Sequence, residues 1–145
     1  MKSSTAILAA GASLAAVGVA HLVQEARHQR QRNAAVTASH QIDWLSRVST
    51  DEELATVWAP QGMDVHTYQV HMAANRGLCQ LSLRHRLGLV SKRQLAFYAR
   101  ELMEKGAYRR YWDEFGALRQ EEALGNRIEE RFTRAMSLAA HGGGL

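Results

Sequence analysis

The sequence predicts an all-α fold in which an N-terminal transmembrane helix continues into a single bundle of about five helices. Three features favour this fold. An uncharged apolar segment opens the chain, helix-forming residues such as Ala, Leu, Arg and Glu are plentiful, and the single proline leaves long helices uninterrupted. The 145 residues suffice for one domain of ordinary size, and the pattern contains no repeat and no second domain.

The predicted membrane anchor is the segment Thr5–Val23, which contains no Asp, Glu, Lys or Arg. At about 1.5 Å per helical residue it spans roughly 28 Å, close to the hydrocarbon thickness of a bilayer. Because Arg27, Arg30 and Arg32 follow it, the positive-inside rule places the C-terminal body in the cytoplasm. The alternatives are a secretory signal, with the body secreted after cleavage, and a buried soluble helix.

Small residues recur at four-residue spacing within this segment. Such spacing lets two transmembrane helices approach closely, so it predicts a homo-oligomer formed through the anchor. The other interpretation is that Ala and Gly are simply common in such segments. The residues concerned are Gly11, Ala12, Ala15, Ala16 and Ala20.

The pattern divides the chain into four segments. Residues 1–23 are the anchor, 24–47 a basic juxtamembrane helix, 48–141 the helical bundle and 142–145 a flexible tail. The three arginines after the anchor are expected at the lipid head groups. Capping residues and glycines set the limits of the bundle helices. Their predicted ranges are about 51–58, 64–87, 92–105, 107–120 and 126–140.

Helical spacing also predicts local details of packing and capping. Trp44 falls near an apolar face and is expected in the core. Thr50 with Glu53, or Ser49 with Glu52, has the spacing of a capping box for the first bundle helix. The predicted buried stripe of the 107–120 helix consists of Tyr108, Tyr111, Trp112, Phe115 and Leu118.

Composition and motifs argue against several classes of function. The net charge of +4 comes from basic residues interleaved with acids, without a nucleic-acid motif, so we expect a membrane rather than a nucleic acid as partner. His66 and His71 are five residues apart and do not share a helical face, which argues against a metal site. The single cysteine, Cys79, is predicted to be a buried structural thiol. No group of catalytic residues and no cofactor motif is evident, so we expect the protein to bind no cofactor and to have no enzymatic activity.

The residues that best suit ligand or partner contact lie on two predicted helices. On one, aromatic side chains form a wall that neighbouring arginines could flank, although core aromatics beside surface arginines are the alternative. On the other, a polar amide falls on an apolar stripe, where it either binds a ligand or fixes helix register. The candidates are Tyr68, Asn75, Arg109, Arg110, Tyr111 and Trp112.

The order of several short motifs resembles a known family. An apolar helix and its basic continuation are followed by Trp58-Ala59-Pro60, then by Asn75 in a long helix, then by Arg110-Tyr111-Trp112. From about Gln24 to His141 the chain resembles the actinobacterial family catalogued as domain of unknown function 6082. The resemblance implies a small helical protein with an N-terminal hydrophobic segment and brings no established activity.

Two functions are compatible with these observations. The first is a membrane-tethered, cytoplasm-facing helical module that interacts with an unknown protein partner, as indicated by the anchor and the basic helix after it. The alternative is a small-molecule sensor or carrier. Its pocket would be lined by Tyr68, Asn75, Tyr111 and Trp112.

Overall fold

Six α-helices make up the described part of this protein, whose structure is a computed structural model. It describes the backbone of residues 2–142 and the side chains of residues 16–142. The predicted all-α class is confirmed, since these residues contain no strand. The helices are α1 (Lys2–Thr50), α2 (Glu52–Trp58), α3 (Val65–Arg86), α4 (Lys92–Met103), α5 (Gly106–Glu122) and α6 (Arg127–Ala140).

The chain forms two compact units, Met1–Thr37 and Ala38–Leu145. Within the described residues, no helix has a stretch long and apolar enough to cross a membrane, so the predicted transmembrane helix receives no support. The side chains of predicted anchor residues Gly11, Ala12 and Ala15 lie outside the described part, as do residues 143–145 of the predicted tail. Ala16 and Ala20 are exposed.

Two apolar clusters form the core of the second unit. The larger one joins α3, α4, α5 and α6, and it includes the buried side chains Leu78, Leu95, Trp112 and Phe132. The smaller one joins α2, the first half of α3 and the C-terminal end of α1. Its buried members are Leu45, Val48, Ala55, Tyr68 and Met72.

The start of α2 differs from the predicted capping box. Asp51 is the N-cap, and its side chain accepts a hydrogen bond from the Leu54 amide at 3.0 Å. The prediction of a box at Thr50 or Ser49 is wrong because α1 continues through both residues. Their hydroxyls instead donate back to the carbonyl of Ser46, at 3.0 and 2.8 Å respectively.

Gly88 ends α3, as its position in the sequence predicts. Its φ of 73° is left-handed, a conformation that glycine adopts without steric conflict. The Gly88 amide donates to the His85 carbonyl at 3.0 Å, and the Leu89 amide donates to the Arg84 carbonyl at 2.9 Å. These two hydrogen bonds form a Schellman motif, which satisfies carbonyls that the helix end leaves free.

Two residues predicted to be buried lie at the surface. Trp44 is 37% exposed and packs edge-on against Trp58, with ring centroids 5.6 Å apart, because Leu45 takes the inward position on α1. Leu118 is 54% exposed, while its neighbour Arg119 is only partly accessible. Successive helical residues differ by about 100° in direction, so in each case the adjacent residue occupies the inner position.

Candidate functional site

The candidate site is centred on Arg119, a partly buried arginine near the C-terminal end of α5. Its Nη1 donates a hydrogen bond to Asn75 Oδ1 on α3 at 2.8 Å. The same nitrogen lies 3.9 Å from Cys79 Sγ, one helical turn further along α3. Among the described residues Arg119 forms no ion pair with a carboxylate. A positive charge therefore lies between two helices with only neutral partners.

The surroundings of Arg119 favour its charged form. Burial disfavours the charge, but the Tyr111 and Cys79 side chains outweigh it and hold the pKa of Arg119 above its ordinary value. Burial raises the pKa of the Tyr111 phenol, an effect that the nearby guanidinium only partly offsets. At neutral pH the site therefore holds a protonated arginine beside a neutral tyrosine.

Arg119 lines a cleft of about 230 Å³ within the second unit. Glu129 lies in the same cleft, where its carboxylate accepts hydrogen bonds from Ser82 Oγ at 3.0 and 3.1 Å and from Arg86 Nε at 3.0 Å. The Glu129 carboxylate therefore already has hydrogen-bond partners and a counterion. Glu122 also lines the cleft, but it is exposed to solvent. Among the described residues that line this cleft, Arg119 is thus the partly buried charge without an ionic partner.

The structure brings two of the six predicted contact residues to this site. Asn75 accepts the hydrogen bond from Arg119, and Tyr111 lies close enough to influence the pKa of Arg119. Tyr68 is buried in the smaller core cluster. Trp112 is buried in the larger cluster, where its indole N–H donates to Ser137 Oγ at 3.2 Å. The aromatic residues of α5 therefore serve mainly as core side chains.

The two predicted contact arginines, Arg109 and Arg110, have different surroundings. Arg109 donates from Nε to the Met103 carbonyl at 3.0 Å and from Nη1 to the Ala140 carbonyl at 3.2 Å. It thereby joins the C-terminal ends of α4 and α6. Arg110 is exposed, and no hydrogen bond from its side chain occurs within the part of the chain that is described.

Arg119 is not among the contact residues predicted above, although the sequence contains a signal for it. Arg119 follows Phe115 by four residues and Tyr111 by eight, so it falls on the same stripe of α5 as these two aromatic residues. A charged residue on an apolar stripe needs a buried polar partner. Asn75 stands out on α3 for the same reason, and the two residues form a pair.

A second, more apolar groove lies where α3, α4 and α5 meet. Its volume is about 610 Å³, and Phe97, which is 50% exposed, lies at its surface. The Arg84 guanidinium is positioned over the Tyr98 ring, 5.7 Å from the centroid. Lys105 adds another positive charge to the lining. The groove therefore combines an apolar floor with a basic rim.

The first unit presents its own exposed surface. On α1, Val17, Val19 and Leu22 are all more than half exposed, and no described side chain of residues 16–33 is buried. The basic residues that follow are exposed too. They are the predicted membrane-surface residues Arg27, Arg30 and Arg32.

Comparison with known proteins identifies the family of this chain. A family of unknown function, DUF6082, matches residues 2–141, almost the whole length. No curated protein and no solved structure matches the chain. The match includes the N-terminal part of α1 as well as the motifs that carry the resemblance in the sequence. The chain therefore belongs to the DUF6082 family, whose function is unknown.

Proposed function

We propose that this protein is a membrane-tethered helical interaction module whose body faces the cytoplasm. One observation carries the proposal: Val17, Val19 and Leu22 expose their side chains on α1. Apolar surface in water is unfavourable by about 25 cal/mol per Å², so lipid or another helix is expected to cover it. The exposed arginines at 27, 30 and 32 suit an anionic membrane surface, each contributing about 1 kcal/mol.

Flotation with lipid vesicles tests the tether. The full-length protein is expected to float with phosphatidylcholine vesicles and to float more completely when phosphatidylserine is added. Replacing Val17, Val19 and Leu22 by serine is expected to reduce flotation with both kinds of vesicle. The matched triple replacement of the arginines by glutamine should reduce only the gain from phosphatidylserine. Wild-type protein that stays at the bottom of the gradient with both would contradict the proposal.

The bundle supplies the surface for the protein partner in the groove around Phe97. We expect the occupant to be an amphipathic helix with acidic residues beside its apolar face. An apolar groove of this size accepts such a face, and Arg84 and Lys105 outnumber Glu101 in the lining. Rim charges of this kind select the complementary sign in a partner.

A labelled model peptide tests this occupant by fluorescence polarisation. An amphipathic helix with a leucine face and flanking glutamates is expected to bind, and the same peptide with lysines is expected to bind more weakly. Phe97→Ser should weaken binding, whereas Leu124→Ser, which removes an exposed leucine that does not line the groove, should not. Equal binding of both peptides, or equal effects of both substitutions, would contradict the proposed occupant.

A small-molecule sensor or carrier is the second candidate function. The Arg119 cleft favours it, because this arginine lines the cleft without an ionic partner among the described residues. The four residues predicted to line a ligand pocket do not belong to this lining, although Asn75 accepts a hydrogen bond from Arg119. A panel of small soluble metabolites is expected to contain at least one compound that raises the Tm of the protein. A panel that leaves the Tm unchanged throughout would speak against this function.

A further inference from the structure

We propose that the cleft beside Arg119 binds a small organic monocarboxylate. The inference rests on the second candidate function, ligand sensing or carriage, and names the class of ligand. Arg119 is partly buried and forms no ion pair among the described residues. A partly buried charge without a counterion is unfavourable, so an anion that enters the cleft gains a strong electrostatic partner.

The anchoring of the guanidinium at Nη1 favours a carboxylate. Nη1 is held by Asn75 Oδ1 and lies near Cys79 Sγ, which anchors one corner of the planar group. Among the described residues, no nitrogen of Arg119 is both buried and without a hydrogen bond. Each of its remaining N–H groups therefore either reaches solvent or already has a hydrogen-bond partner. An anchored guanidinium offers parallel N–H groups that match the two oxygens of a carboxylate.

The other charges in the cleft favour a single negative charge on the ligand. Glu129 and Arg86 form an ion pair with a 3.0 Å contact, so they largely neutralise each other. Glu122 lines the same cleft without an ion pair to Arg119. Its carboxylate repels the phosphate dianion more strongly than a singly charged anion. The single charge of Arg119 therefore matches one negative charge on the ligand, and Glu122 penalises a second.

The dimensions and walls of the cleft limit the ligand further. Its volume of about 230 Å³ lies below the about 300 Å³ at which pockets for drug-sized ligands begin, so the cleft favours a small ligand. Leu83 and Ala123 contribute apolar surface to the lining. A short hydrocarbon chain attached to the carboxylate fits these walls.

Cys79 provides a direct measurement of occupancy. It is the only cysteine in the chain, and it lines the cleft. The experiment follows the alkylation of full-length protein by iodoacetamide in the presence of butyrate, its neutral analogue butyramide, or inorganic phosphate. Butyrate is expected to slow alkylation saturably and to raise the Tm, whereas butyramide and phosphate are expected to do neither.

Two variants and a control connect this protection to the proposed contact. Arg119→Met is expected to weaken butyrate binding about tenfold or more, because it removes a charge-assisted hydrogen bond. Ala38→Leu places a larger side chain in the cleft without removing any charge, and it is expected to abolish protection by butyrate. It serves as the second test if Arg119→Met does not fold. Arg100→Met, at an exposed arginine outside the cleft lining, should bind butyrate like the wild type.

The outcomes separate the inference from the function on which it rests. Protection by butyrate that disappears in Arg119→Met or Ala38→Leu would support the monocarboxylate site. Equal protection by butyramide or phosphate would overturn the ligand class while leaving a ligand-binding function in place. If no probe slows alkylation, the inference is overturned, and the Tm panel decides the sensor function separately.

Discussion

His71 on α3 contacts two aromatic side chains of α5. Its ring centroid lies 5.5 Å from that of Phe115, edge-on, and 6.1 Å from that of Tyr111. Its Nδ1 is buried without a hydrogen-bond partner. Burial lowers the pKa of His71, Glu114 opposes this shift and Arg110 adds to it. The folded state therefore holds the neutral imidazole below the pH at which a free histidine takes up a proton.

This lowered pKa predicts how stability depends on pH. Below about pH 6.5 the unfolded chain binds a proton that folded His71 does not, so the free energy of unfolding falls as pH falls towards the folded pKa. One such group contributes at most about 1.4 kcal/mol per pH unit. His71→Leu should flatten the dependence measured by urea unfolding between pH 8 and 5. His66→Gln, at an exposed histidine, should not, and equal slopes in all three proteins would contradict the prediction.

Asn75 and Arg119 show what residue patterns alone can reveal. Asn75 is recognisable from the sequence because an amide on an apolar stripe needs a partner. Arg119 is not, because the spacing on α5 favours its neighbour Leu118 for the buried stripe. Local spacing defines a broad face of α5, but the neighbouring helices decide which of two adjacent residues points inward.

At the scale of the element, α5 depends on Gly116. A Cβ built at this glycine would lie 2.8 Å from Nε1 of Trp112, the residue one turn earlier. Trp112 has little room to move, because it is buried and bonded to Ser137 Oγ. The absence of a side chain at Gly116 therefore allows the indole to pack against its own helix.

We expect Gly116→Ala to destabilise the protein. Overpacking costs about 1–3 kcal/mol, which outweighs the gain of up to about 1 kcal/mol in helix propensity. Gly106→Ala is the matched control, because its new methyl group would meet only the end of the flexible Arg110 side chain, at 3.3 Å. Urea unfolding followed by tryptophan fluorescence measures both. A Gly116→Ala variant as stable as Gly106→Ala would show that Trp112 can move aside.

Helix ends are largely predictable from local residues, and the start of α2 is the exception. Gly88 ends α3 because its left-handed backbone suits glycine, a property of one residue and its neighbours. The start of α2 was harder, since Ser49, Thr50 and Asp51 are all good caps. Asp51 is the N-cap because α1 continues through Thr50.

At the scale of the whole molecule, Arg109 joins three helices of the second unit. It leaves α5 and donates to backbone carbonyls at the ends of α4 and α6, Met103 and Ala140. Because these carbonyls lie at the C-terminal ends of helices, they have no hydrogen-bond partner within their own helix. A residue that the sequence marks as a contact for ligands is thus occupied in holding the bundle together.

Substituting the two adjacent arginines separates this structural role from a surface charge. Arg109→Met is expected to lower the free energy of unfolding by about 1–3 kcal/mol through the loss of charge-assisted hydrogen bonds. Arg110→Met removes the same charge from an exposed position and should change stability by less than about 0.5 kcal/mol. Thermal unfolding of both variants gives the comparison. Similar losses in the two would mean that net charge, rather than the contacts of Arg109, sets stability.

The helical class, the approximate helix limits and the family resemblance are all predictable from the sequence. These depend on helix propensity, capping and spacing, which act over a few residues along the chain. The packing of the helices, by contrast, brings Arg119 to Asn75 and Cys79, leaves Trp44 at the surface and allows Arg109 to join helix ends. Arg119 and Asn75 are 44 residues apart. Such pairings depend on how helices pack against one another, and no local pattern specifies that arrangement.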